Sequence, residues 1–216
     1  MDFLFSQNII TTFTINIIKL MNFLAHIYLS NKNEPIIIGN FIADFIRGNK
    51  YKHLPKEIQK GILLHRQIDS FTDAHQIPRK SKRRLHERYK HYDGIIIDIL
   101  YDHFLAKNWK QYSKISLVET ENNFISLMYK NIELLPEKVI QILPHIKEQK
   151  WLSNYATLEG IEKALIGVNK RTKLKSQMHL AINDLDENYL ELENDFTLFF
   201  KELITFTNKT ITKLDL

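Results

Sequence analysis

Apolar residues recur along most of the chain at spacings of three and four, the period of an α-helix with one face in a core. From Met21 onward this pattern predicts helices over Asn22–Leu29, Ile36–Arg47, Pro55–Thr72, Gly94–Lys107, Ser116–Leu135, Pro136–Lys147, Trp151–Lys170 and about Leu180–Lys209. Pro55 and Pro136 stand at helix starts, where a missing N–H leaves no intrahelical acceptor unmet. The runs Ile36–Ile38 and Ile95–Ile97 have strand propensity, but each flows into a longer helical pattern. Neither an internal repeat nor a Ser/Gly-rich linker divides the chain. The expected fold is therefore all-α, a single helical domain over residues 21–216.

The informative positions are polar residues on apolar faces. Ile58 and Ile62 define a stripe that continues into His65 and Asp69, beside a second stripe of Leu64, Ile68 and Phe71. Residues 94–105 are apolar nearly all round the helix, with Asp98, Asp102 and His103 as exceptions. Asp44 follows Ile37 and Phe41 on one face, and His26 is surrounded by Phe23, Leu24, Ile27, Tyr28 and Leu29. An unpaired buried charge is strongly unfavourable. One divalent cation would relieve the whole set, because neutral imidazole and carboxylate are normal ligands for Mn, Fe, Zn or Mg. The alternative explains each residue separately, with histidines bonded to carbonyls and aspartates paired with Arg47 or Arg66.

Composition narrows the chemistry. The 216 residues are 44% hydrophobic and 25% charged, ordinary for one globular domain, and contain no cysteine. That excludes a disulfide framework, a thiolate zinc site and a cysteine nucleophile, and it suits a reducing cytoplasm. Residues 3–18 carry no charge, yet Thr11, Thr12, Thr14 and Asn16 interrupt the run and no basic n-region precedes it. A signal peptide or membrane span is not expected there. Residues 1–20 read as a disordered or non-native N-terminal extension, with a peripheral hydrophobic anchor as the other option.

The net charge of +5 is unevenly placed. Arg79, Lys80, Lys82, Arg83, Arg84, Arg88 and Lys90 are opposed only by Glu87, a positive patch suited to an acidic protein partner. Asp184, Asp186, Glu187, Glu191, Glu193 and Asp195 read as the outer face of a long helix on the other side of the molecule. No nucleic-acid-binding motif accompanies the basic run.

Four blocks occur in order: Met21-Asn22-Phe23-Leu24-Ala25-His26, Gly39-Asn40-Phe41-Ile42-Ala43-Asp44-Phe45, His65-Arg66-Gln67-Ile68-Asp69-Ser70-Phe71-Thr72-Asp73 and Tyr101-Asp102-His103-Phe104-Leu105. Together they resemble the acyl carrier protein phosphodiesterase (hydrolyase) family. The resemblance implies a helical bundle of the HD-phosphohydrolase type and a manganese-dependent reaction. That reaction releases 4′-phosphopantetheine from holo-acyl carrier protein to leave the apo-protein. It also implies that Asp44 is essential. The family's HD relatives have adjacent His and Asp, whereas here the spacing is His65-x-x-x-Asp69, and Asp102-His103 is reversed. On placement and this analogy, His26, Asp44, His65, Asp69 and Asp102 are the expected metal ligands. Asn40, Asp98 and His103 are expected to support them by hydrogen bonding.

A bound divalent ion lowers the pKa of its water and polarises a phosphoryl oxygen. Whichever of Asp44 and Asp69 does not ligate would orient the attacking water as a base, and Arg66, or Arg47, would offset phosphoryl charge. The acidic carrier would dock on the Arg79–Lys90 patch. Two other functions share some of these features: an HD-type hydrolase of a nucleotide or other small phosphoester, and a non-catalytic helical module binding an acidic protein or nucleic acid.

Overall fold

A computed structural model describes residues 22–172 and 174–214, so the expected N-terminal extension lies outside the described residues. Among them no strand occurs; the α-helices are α1 (Phe23–Leu29), α2 (Glu34–Ile42), α3 (Lys56–Ala74), α4 (Gln76–Tyr89), α5 (Asp93–Lys107), α6 (Trp109–Tyr112), α7 (Leu117–Lys130), α8 (Glu137–Glu148), α9 (Trp151–Asn154), α10 (Leu158–Arg171), α11 (Ala181–Glu187) and α12 (Tyr189–Lys213). None of the described helices is long and apolar enough to cross a membrane. The all-α expectation therefore holds.

Helix α5 forms the centre of the core. Ile96, Ile99, Leu100, Phe104 and Leu105 are fully buried around its circumference, as its all-round apolar pattern requires. Helices α1, α4, α10 and α12 pack against it, and α3 lies between α2 and α12.

Glycine sets the crossing of α2 and α3. A Cβ on Gly39 would sit 2.1 Å from the Ile58 carbonyl oxygen, and one on Gly61 would sit 2.6 Å from that of Ile36. Only two residues without side chains let the backbones approach so closely. Asn40 follows Gly39 and His65 lies one turn after Gly61, so this crossing brings two polar side chains face to face.

Several expected helices are interrupted, each for a local reason. The helix expected over Ile36–Arg47 ends at Ile42 and tightens into a 3₁₀ turn, Ala43–Phe45, which carries Asp44. The Trp151–Lys170 helix is split because the Thr157 hydroxyl caps the Gly160 amide at 3.1 Å and restarts the helix. The Leu180–Lys209 helix divides at Asn188 into α11 and α12.

Helix α4 lies outside the expected set, because its buried stripe of Pro78, Ser81, Leu85 and Tyr89 is only half apolar. Its cations correct the expected charge separation. Asp195 is buried and accepts from Lys80 Nζ at 3.1 Å, Ser81 Oγ at 3.0 Å and Arg84 Nη1 at 2.6 Å. Asp184 accepts from Arg88 Nη1 at 2.9 Å and from the Tyr89 hydroxyl. A buried carboxylate needs close partners, so these two acids face the basic helix rather than the far side of the molecule. Lys82 pairs with Asp73 at 3.3 Å, and Arg79 Nε donates to the Asp73 carbonyl at 2.9 Å. Of the expected docking cations, Arg83 and Lys90 are exposed and make no ion pair with a described residue.

The glycine crossing carries a prediction. Gly61→Ala should destabilise the protein by about 3 kcal/mol, the upper end for an overpacked contact, as read by urea denaturation. A change below about 0.5 kcal/mol, the range of neutral surface substitutions, would show that α2 and α3 can part without penalty.

Candidate metal centre

Three elements converge at one point. Helix α1 contributes His26, the 3₁₀ turn after α2 contributes Asp44, and α3 contributes His65 and Asp69 one turn apart. The His26 and His65 rings stack with centroids 4.1 Å apart and planes inclined by 21°. His65 Nε2 lies 3.3 Å from Asp44 Oδ1 and 3.2 Å from Asp69 Oδ2. His26 Nε2 is 3.5 Å from Asp69 Oδ1, too long for a good hydrogen bond.

Asn40 orients one ring and ties down the helix that carries the other. Its Oδ1 lies 3.1 Å from His65 Nδ1, so the Nδ1–H tautomer donates there and Nε2 faces the carboxylates. Its Nδ2 donates to the His26 carbonyl and to Ser30 Oγ, each at 3.0 Å. Ser30 Oγ donates in turn to the His26 carbonyl at 2.8 Å. Ser30 is a supporting residue that periodicity did not reveal; its position four residues after His26 was the available signal.

The electrostatics of the cluster are lopsided. Burial acts to lower His65, but its contacts with Asp44 and Asp69 win and push it up to about 9. Burial, assisted by the charge of His65, holds His26 below the usual imidazole range. Burial acts to raise Asp69, yet the two imidazoles hold it well below the usual carboxylate range. Without a metal, the stack therefore pairs one imidazolium with one neutral ring.

His26 shows that the set fits a cation. The residue is buried, and neither ring nitrogen has a hydrogen-bond partner, a costly arrangement for a polar group. Ligand atoms of His26, His65 and Asp69 lie within 4.8 Å of one another. Donors at about 2.0–2.2 Å from a shared ion can span such a distance with small adjustment. A mixed imidazole and carboxylate set is compatible with a divalent metal. Asp44, with its side chain only 10% exposed, stands beside these three.

The structure gives the other expected residues the following contacts. Asp102 was expected as a ligand, but its two oxygens accept the Leu24 and Ala25 amides, each at 3.0 Å. The Asn22 side chain provides no cap for α1, so Asp102 satisfies the open amides of that helix from a distance in sequence. Burial pushes Asp102 up to about 7 despite these two donors. These contacts tie it to the start of the helix bearing His26.

His103 was expected beside the ligands. Its Nδ1 instead bonds the Tyr155 carbonyl and its Nε2 the Tyr189 hydroxyl, both at 2.8 Å. Asp98 is pushed well above its usual range, chiefly by burial, and the negative charge of Asp69 acts in the same direction. No hydrogen bond joins it to His26, His65 or Asp69. Arg66, expected to meet phosphoryl charge, donates from Nη2 to the Gly48 carbonyl at 2.6 Å and lies over the Tyr51 ring at 4.9 Å. It holds the loop after Asp44.

A family model described as acyl carrier protein phosphodiesterase matches residues 21–203. The chain belongs to that family. Relatives with this name include a Serratia proteamaculans protein, 30% identical over 185 residues, covering 85% of this chain and 96% of the relative. A Yersinia enterocolitica relative is also 30% identical, over 187 residues, covering 86% of this chain and 96% of its own. No solved structure matches the chain. The matched region contains all four residues of the cluster, so the acyl carrier protein phosphodiesterase family name and the cluster refer to the same domain.

Proton linkage gives a direct test of ligation. A histidine must be neutral to bind a metal, and His65 has its pKa near 9 in the metal-free protein. Mn²⁺ binding at pH 7 should therefore release about one proton, measured by calorimetry in two buffers of different ionisation enthalpy. Apparent affinity should rise from pH 6.5 towards 9. Metal-free stability should move the other way: the His65 contribution is full below its unfolded value of 6.5 and is lost as pH passes about 9. Binding without proton release would remove His65 from the ligand set.

Proposed function

We propose that this protein hydrolyses the phosphodiester joining 4′-phosphopantetheine to a serine of holo-acyl carrier protein, with a divalent cation, manganese foremost, held by His26, His65, Asp69 and Asp44. The observation that carries this reading is the buried, unsatisfied His26 stacked on His65 between two carboxylates. The family to which the chain belongs supports the substrate.

A cation held at that cluster would supply Lewis-acid stabilisation of a phosphoryl oxygen. The protein's own residues supply position and proton transfer. Asn40 holds the His65 ring, Ser30 and Asn40 hold the His26 carbonyl, and Asp102 anchors the amide end of α1. Asp44 accepts the proton of the attacking water; Asp69, held well below the usual carboxylate range by the two imidazoles, is too weak a base for that step. The water oxygen bonds phosphorus, the bond from phosphorus to the serine oxygen breaks, and that oxygen takes a proton. The products are the apo-carrier and a phosphate monoester on the released arm. No protein nucleophile is needed, in keeping with a chain that contains no cysteine.

Incubation with holo-acyl carrier protein and Mn²⁺, followed by intact-mass measurement of the carrier, tests the proposal. The carrier should lose the mass of the phosphopantetheine arm. Chelation should stop the reaction, and Asp44→Ala and His65→Ala should each slow it by about 100-fold or more, since losing a residue that merely supports a ligand already costs roughly 10–100-fold. An unchanged carrier mass with folded, metal-loaded protein would contradict the assignment.

A further inference from the structure

A pocket of ≈ 590 Å³ opens beside Asp44, bounded by the loop that runs from Asp44 to Pro55 and by the connection between α7 and α8. Phe45, Leu54 and Leu134 give it apolar wall, and Lys50 and Lys138 add positive charge. Its volume falls within the roughly 300–1,000 Å³ of sites that enclose a small extended ligand. The loop wall is held in place: Arg66 Nη2 bonds the Gly48 carbonyl at 2.6 Å and its guanidinium covers Tyr51.

The charges here differ from those on α4. Lys80, Arg84 and Arg88 are committed to Asp195 and Asp184. Lys50 and Lys138 are exposed and make no ion pair with any described residue. Glu133 is the one acid on the lining besides Asp44. An anion in this groove meets two uncommitted ammonium groups next to a carboxylate of the candidate metal centre.

We propose that the groove receives the phosphate-bearing, linear prosthetic arm of the substrate, with Lys50 and Lys138 meeting its anionic charge. This rests on the phosphodiesterase reading above. The concavity argues for a narrow chain rather than a protein face, which would cover its mouth without filling it. Its mixture of apolar wall and ammonium groups suits a chain of methylenes and amides that ends in phosphate. Asp44 lines the groove and also lies 3.3 Å from His65 Nε2, so an arm lying here has its phosphodiester at the reacting residues.

Steady-state hydrolysis of holo-carrier by Lys50→Glu/Lys138→Glu, with free 4′-phosphopantetheine as competitor, tests the assignment. Both lysines are exposed, and a thermal melt checks that the variant is folded. The double reversal should raise KM about 10-fold or more while leaving kcat within about three-fold, as expected for lost charge complementarity. Free 4′-phosphopantetheine should inhibit the unaltered protein and lose most of that effect on the variant. Lys201→Glu, an exposed reversal on α12, controls for net charge and should leave KM within about two-fold.

An unchanged KM in the double variant overturns the proposal. So does a raised KM with undiminished inhibition by the free arm, since the lysines would then be touching the carrier protein. If the unaltered protein hydrolyses no holo-carrier, the phosphodiesterase reading is what fails. Calorimetry of 4′-phosphopantetheine with the Mn²⁺-loaded protein and the double variant still decides the groove: tighter binding to the unaltered protein supports it, and equal or absent binding overturns it.

Discussion

Two glycines determine how near the α2 and α3 backbones come, and the candidate centre depends on that distance. With Gly39 against Ile58 and Gly61 against Ile36, the Asn40 amide reaches His65 directly. Had either position carried even a methyl group, the helices would separate and the 3.1 Å contact between Asn40 and His65 would be lost. Close packing also delivers the α2 terminus to α3, so the short 3₁₀ turn at Ala43–Phe45 can set Asp44 beside the imidazole. The geometry of the cluster is thus a consequence of backbone contact, made before any side chain is oriented.

The cluster itself is compatible with a divalent metal and leaves one of its imidazoles unsatisfied. His65 gains two carboxylate neighbours and Asn40, while His26 stacks against it with no acceptor of its own. A purely structural polar network is expected to satisfy every member. This one leaves a buried imidazole open next to two acids, the arrangement a cation can complete. The surroundings are committed to holding it: Ser30 and Asn40 secure the His26 carbonyl, and Asp102 secures the start of α1.

Much of this was legible as misplaced polarity. His65 and Asp69 continue an apolar stripe, and His26 and Asp44 interrupt others, so helical spacing alone pointed to all four. Spacing tells which face a residue occupies, but not which residue it meets. Asp102 shares the same signature of burial, yet its carboxylate meets amides 77 and 78 positions away in sequence. Arg66 sits next to His65 in the chain but points to the loop at Gly48. The charged segments follow the same rule. Asp195 lies on the inner face of α12, where its burial is possible only because α4 brings Lys80, Ser81 and Arg84 to it. Helix α4 shows no clear apolar stripe in the sequence, because Pro78 and Ser81 occupy half of its buried face.

The central claim is that His26, His65, Asp69 and Asp44 together hold one catalytic cation. Anomalous diffraction at the manganese edge, from crystals grown with Mn²⁺, locates the ion without reference to activity. The account predicts a peak between the stacked imidazoles and the two carboxylates, within about 2.0–2.3 Å of their donor atoms. A peak at Asp98 and Asp102 with none at His26, or a well-ordered cluster that stays empty at saturating Mn²⁺, would contradict it.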